Sequence, residues 1–196
     1  MGGQRAGPGG WYMRACYLAD ATGESMVRWP MWLSTPPVAS PEVLARHARS
    51  MLMLPDVLIR VSPAGDQLVG LPSWLVVDPA SWQTRSATAS VPGVSVTATA
   101  RPVSARWVMG DGNSVVCHGP GTVWRPGLDP AADSPDCGYR YSRSSAGAPG
   151  AAFPVTVTIS WQVSWAGAGQ SGIVPGLTTT GGVPLRVAES QTVITR

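Results

Sequence analysis

From Val155 to Trp165 the chain alternates almost without interruption, with Val155, Val157, Ile159, Trp161, Val163 and Trp165 set against Thr156, Thr158, Ser160, Gln162 and Ser164. Successive strand side chains face opposite sides of a sheet, so this stretch predicts a long strand with one buried and one wet face. Shorter runs of β character cover 57–61, 68–77, 85–91, 94–100, 105–109, 113–117, 138–142, 173–180 and 183–195, separated by turn-rich connections. Pro72 interrupts the second of these and predicts an edge strand or a bulge. Short strands at this rhythm, without helices between them, predict a mainly β chain folded as a sandwich or barrel.

One window carries the helical period instead. Ser40 is placed as an N-cap and Pro41 in the first turn, and Val43, Leu44, Ala48, Met51 and Leu52 recur at helical spacing until Pro55. These predict one short amphipathic helix over 41–54. Glu42 and Arg46 form a favourable i,i+4 pair, and Arg46, His47 and Arg49 are expected on a solvated face. Residues 1–39 hold no lasting period and read as an extended, Gly/Pro-punctuated arm rich in aromatics: Trp11, Tyr12, Tyr17, Trp29 and Trp32. So many large apolar side chains are costly in water, which predicts docking on the chain's own domain or on a partner. The expected organisation is an arm over 1–39, a helix with strands packing on the main domain over 40–84, and a β-sandwich over 85–196.

Composition narrows the chemistry. All 14 basic residues of the 196 are arginine. Without lysine there is no Walker-type phosphate loop, no pyridoxal Schiff base and no lysine nucleophile. The net charge of +3 is small and the arginines are scattered, so no basic stripe for nucleic acid is present. Charged residues make up 13% of the chain, and Ser, Thr, Gly and Pro carry its polarity, a balance that points to an extracellular or cell-envelope location. No signal peptide is visible at the start, and Arg14, Asp20, Glu24 and Arg28 break the apolar stretch that follows, which predicts no membrane span.

Cys117 and Cys137 flank a loop rich in Gly, Pro and Asp that cannot make its own core. A bridge between them is expected, worth roughly 3 kcal/mol on loop-entropy grounds, against the alternative of two buried thiols. Cys16 is left over as free, buried or paired with a partner chain. The loop over 118–136 reads as irregular, with Trp124 and Arg125 at its tip as candidate binding residues. Trp124 has a second reading, as a cap folded back on the core.

The segment Arg106-Trp107-Val108-Met109-Gly110-Asp111-Gly112 resembles the signature of the PKD domain, an immunoglobulin-like module whose pattern is Trp-Asp-Phe-Gly-Asp-Gly. Tyr139-Arg140-Tyr141 and the strand from Phe153 match the family's second mark, so that residues 86–165 are covered. Val108 and Met109 depart from the pattern, and the segment between the cysteines is longer than the module allows. The chain also resembles secreted proteins of Streptomyces and related actinobacteria. The resemblance implies an immunoglobulin/PKD-like β-sandwich. Gly110 and Gly112 suit a tight turn with positive φ, Asp111 suits hydrogen bonds within it, and Trp107 is expected between the sheets, so the motif is read as structural.

Catalytic constellations are sparse. The chain lacks Gly-x-Ser-x-Gly, His-Glu-x-x-His and Cys-x-x-Cys, and holds two histidines. His118 suits a surface turn, and Asp129, Asp133 and Asp136 share one loop. Calcium binding by Asp111 with these aspartates finds no matching spacing, so neither metal nor cofactor is expected. The expected function is a non-catalytic module mediating protein–protein interaction in a cell-surface or secretion assembly, with Trp11, Tyr12, Trp29, Trp32, Trp124 and Arg125 as contact residues. The alternatives are a polysaccharide or cell-wall binding module and a hydrolase centred on His118 or the Asp-rich loop.

Overall fold

A computed structural model of the chain describes residues 9–20, 23–33 and 40–189. The chain divides into two compact units, Met1–Ser40 and Pro41–Arg196. The first holds an antiparallel hairpin of β1 (Gly10–Asp20) and β2 (Gly23–Leu33). An extended arm was expected here because apolar residues fall at consecutive positions and leave no period to read. Cross-strand pairing forms the hairpin instead: Trp11 lies opposite Trp32, with their rings edge to face at 5.5 Å. The side chains of Tyr12, Tyr17 and Cys16 lie outside the described residues.

The second unit is mainly β and sandwich-like, with one short helix, α1 (Pro41–Ser50). Its strands are β3 (Ile59–Ser62), β4 (Gln67–Leu68), β5 (Pro72–Val77), β6 (Arg85–Val91), β7 (Val94–Val108), β8 (Ser114–Cys117), β9 (Gly138–Arg140), β10 (Phe153–Gly167), β11 (Gln170–Leu185) and β12 (Val187–Ala188). The large sheet runs β11-β10-β7-β6, with β8 also on β7; a three-stranded sheet runs β3-β5-β9, and β12 pairs in parallel with β4.

The two predicted strands 94–100 and 105–109 are one strand, β7, carrying a bulge. Ser160 faces Ser104 while Trp161 faces Pro102, so Val103 is the extra residue. The bulge changes the parity of the buried set from Val96, Ala98 and Ala100 to Ala105 and Trp107, all of which are nearly or wholly buried. One sheet face therefore stays continuous although the sequence alternation breaks. On β10 the predicted inward residues Val155, Val157, Ile159, Trp161, Val163 and Trp165 are all buried.

Helix α1 packs on β7 and β6. Small residues on both sides allow the approach: Ala45 and Ala48 are buried on the helix, and Ala89, Ala98 and Ala100 on the sheet. The helix stops at Ser50, four residues earlier than expected. Ser50 Oγ donates to the His47 carbonyl at 2.7 Å, and Leu52 N to Arg49 O at 3.2 Å, which tightens the last turn ahead of Pro55. Val43 and Met51, expected on the apolar stripe, are exposed. Among the described residues Glu42 and Arg46 form no ion pair.

Arg49 is not on a solvated face either. Its guanidinium donates to Pro175 O at 2.8 Å and Gly176 O at 3.1 Å, on β11. Pro72 opens the central strand of the small sheet rather than marking an edge, because the first residue of a strand is a position where a missing N–H is tolerated. That strand, β5, is buried at every position and supplies the second layer of the core.

Candidate functional site

Two irregular segments are held together beside the small sheet. The chain between β3 and β5 is organised by Gln67, whose buried amide donates to Pro63 O at 2.6 Å and Gly65 O at 3.0 Å. The segment between β8 and β9 is closed by the Cys117–Cys137 disulfide, with the Cα atoms 5.5 Å apart. Within it, Asp136 accepts from Thr122 N, Thr122 Oγ1 and Ser134 Oγ, and the Trp74 indole donates to Ala132 O at 2.9 Å. Arg140 of β9 then bridges the two segments. Its guanidinium reaches Asp133 Oδ1 at 2.9 Å and Ala131 O at 3.2 Å on one side, and Gly70 O at 2.8 Å on the other.

Between these segments lies a cleft of about 270 Å³ lined chiefly by Trp74, Trp124, Leu68, Leu71, Pro72 and Pro130. Ser62, Asp66 and Gln67 are its polar groups. Trp124, a candidate from the sequence, is half-buried here, which places it between the two expectations of an exposed contact and a core cap. Arg125 is exposed and does not line the cleft. Trp74 and Arg140 were not singled out from sequence. Trp74 sits in the apolar run Ser73-Trp74-Leu75-Val76-Val77, where nothing separates a cleft wall from a core residue. Trp11, Trp29 and Trp32 lie apart from this cleft in sequence, on the hairpin, where Trp11 is 70% exposed.

The Gly-Asp-Gly motif forms the turn from β7 to β8. Gly110 has φ +78° and Gly112 φ +103°, the left-handed region that favours glycine. A Cβ on Gly110 would also stand 2.8 Å from Phe153 Cβ. Asp111 accepts from Tyr139 Oη at 2.6 Å and from Asn113 N at 3.0 Å, and Asn113 Nδ2 donates to Tyr139 Oη at 2.9 Å. Burial opposes ionisation of Asp111, but the Tyr139 and Asn113 hydrogen bonds outweigh it and hold the carboxyl below its ordinary value. Burial, then the Asp111 carboxylate, pushes the Tyr139 hydroxyl up. Arg143 donates to Asp111 O at 2.9 Å, and Tyr141 Oη to Met109 O at 3.2 Å. Trp107 is fully buried, and among the described residues its Nε1–H has no partner.

No family model, curated protein or solved structure matches the chain. Asp129 accepts from Ala131 N at 2.8 Å, Asp133 pairs with Arg140, and Asp136 organises its own loop, so each loop carboxylate holds backbone or a neighbour in place. His118 is exposed. Among the described residues no three His, Cys, Asp or Glu side chains gather as a metal-binding set, and no helix is long and apolar enough to cross a membrane. What the cleft offers is apolar surface: the half-buried Trp124 indole, leucines and prolines over a nearly buried Trp74, with few hydrogen-bonding groups.

Proposed function

We propose that this chain is a non-catalytic binding module, secreted or attached to the cell envelope, that engages a protein partner through the Trp74–Trp124 cleft. The observation that carries this reading is the apolar lining of the cleft. A sugar site needs several free polar groups around its aromatic platform, whereas here the polar lining is limited to Ser62, Asp66 and Gln67, and the Gln67 amide N–H groups are already committed to Pro63 and Gly65 carbonyls. Indole and proline surfaces suit extended peptides carrying apolar or proline side chains. The Cys117–Cys137 disulfide fits an oxidising compartment. The resemblance of the Trp107 to Gly112 segment to PKD domains adds an immunoglobulin-like scaffold, a frame on which loops commonly bind.

The hairpin supports an assembly role. Two strands alone are marginal in water, and exposed Trp11, Met13 and Trp32 offer the surface a partner would cover.

The test is an array of extended peptides read by tryptophan fluorescence, run beside co-sedimentation with insoluble peptidoglycan. The expected result is peptide binding weakened about tenfold or more in Trp124→Ala. Pelleting that depends on Trp124, with no peptide bound, would replace the protein ligand with a polysaccharide. If neither signal appears, the cleft is overturned as the binding site.

A further inference from the structure

The two edges of the large sheet are treated differently. On β11 the Pro175 and Gly176 carbonyls are taken by Arg49, Pro175 and Pro184 have no N–H to offer, and Gly181 packs against the Val57 carbonyl. That edge is closed to a further strand. On the opposite side, β6 pairs with β7 through one edge and meets α1, and among the described residues nothing pairs with its other edge. No proline, lysine or bulge blunts it.

The register says which backbone groups are open. β6 and β7 are joined by the two-residue connection Pro92-Gly93, with Val91 opposite Val94. A two-residue loop closes on a hydrogen-bonded pair, and such pairs alternate along an antiparallel ladder. Val91, Ala89, Ala87 and Arg85 therefore bond to β7, whereas the N–H and C=O groups of Ser90, Thr88 and Ser86 point outward. Side chains agree: Thr88 and Thr97 hydroxyls meet at 2.8 Å and Ser86 and Thr99 at 3.2 Å, the closer approach of non-hydrogen-bonded pairs.

We propose that β6 is the pairing edge for a second copy of this chain, forming a two-fold dimer in which the large sheets join across β6. The sequence Ser86-Ala87-Thr88-Ala89-Ser90 reads the same in both directions. Antiparallel pairing centred on Thr88 sets Thr88 against Thr88 of the second copy, Ser86 against Ser90 and Ala87 against Ala89. The outward backbone groups of all three hydroxyl residues meet their own kind in register. Side chains there are small, Arg85 pairs with Val91 rather than with another arginine, and the exposed Ser/Thr face and buried Ala face each continue across the dyad.

Sedimentation velocity on the full chain, from about 1 µM to 1 mM, tests this over the affinity range of small interfaces. Two variants accompany it. Thr88→Pro removes an outward N–H without touching the β6–β7 ladder, and Thr88→Arg sets like charges on the dyad. The expected result is a concentration-dependent dimer in the wild type whose dissociation constant rises tenfold or more, by rough estimate, in both variants. Circular dichroism checks that each variant is folded, and Thr88→Arg decides the question if Thr88→Pro is not. A wild type that stays monomeric throughout, or a dimer that the folded variants leave intact, overturns the proposal. Because β6 contributes no residue to the Trp74–Trp124 cleft, peptide binding is expected to be unchanged in Thr88→Arg.

Discussion

The Tyr139 hydroxyl donates a 2.6 Å hydrogen bond to Asp111 Oδ2, tying the last strand of the small sheet to the turn that ends β7 in the large one. Asn113 completes the triangle, so the turn is braced by a residue 28 positions away as well as by its own glycines.

Tyr139→Phe is expected to destabilise the fold by about 1.5–3 kcal/mol, the range for one hydrogen bond to a charged acceptor. The Asp111 carboxyl lies below its ordinary 3.8 in the folded chain, so its contribution is present above that value and is lost as pH falls through the lowered one. Urea unfolding between pH 7 and pH 2 should thus show a steeper acid loss in wild type than in Asp111→Asn. Parallel curves would remove Asp111 from the acid response. Tyr139 acts at the other end: its hydroxyl is raised above 10.0, so its share is held below that pH and lost as pH rises toward the raised value.

Two buried tryptophans should respond differently to the same change. Trp161 Nε1 donates to Thr179 Oγ1 at 2.9 Å, whereas Trp107 Nε1 is buried with no acceptor among the described residues. Both Phe substitutions lose ring volume, but at Trp161 a hydrogen bond goes too, while at Trp107 an unpaired donor is removed. Trp161→Phe is expected to cost about 1 kcal/mol more than Trp107→Phe in chemical denaturation. Equal costs would mean that the Trp107 N–H is solvated in solution.

Gly121 lies against the Leu75 carbonyl at φ +87°, where the disulfide-closed loop crosses β5. Any Cβ there must push the loop away. Gly121→Ala should cost roughly 2–4 kcal/mol and reduce ligand binding in the adjoining cleft, while Gly119→Ala, with open space around it, stays within about 0.5 kcal/mol of wild type. Similar melting temperatures for the two variants would contradict this packing.

Arg49→Ala removes two hydrogen bonds and uncovers carbonyls on β11. The expected loss is about 1–3 kcal/mol in thermal unfolding, together with faster growth of light scattering on mild heating as the edge opens. An unchanged scattering rate would show that Pro175 alone guards the edge.

Trp74 shows why the cleft was only half legible: its neighbours make it look like core, and only the return of the disulfide loop, with Ala132 accepting from its indole, turns it into a wall. The same holds for Arg49, an ordinary helix charge until β11 is folded against it. Local sequence determined β10 and its buried face through alternation, the turn at Gly110 to Gly112 through its glycines, and the expectation of a Cys117–Cys137 bridge through the loop the two cysteines flank, because each depends on residues close in sequence or on unusual residue types. The bulge at Val103, the shortened helix, the hairpin and the cleft were decided by tertiary structure. The bulge and the cleft arise where segments distant in sequence meet, and the hairpin and the helix end rest on local hydrogen bonds, neither of which leaves a period in the chain that makes them.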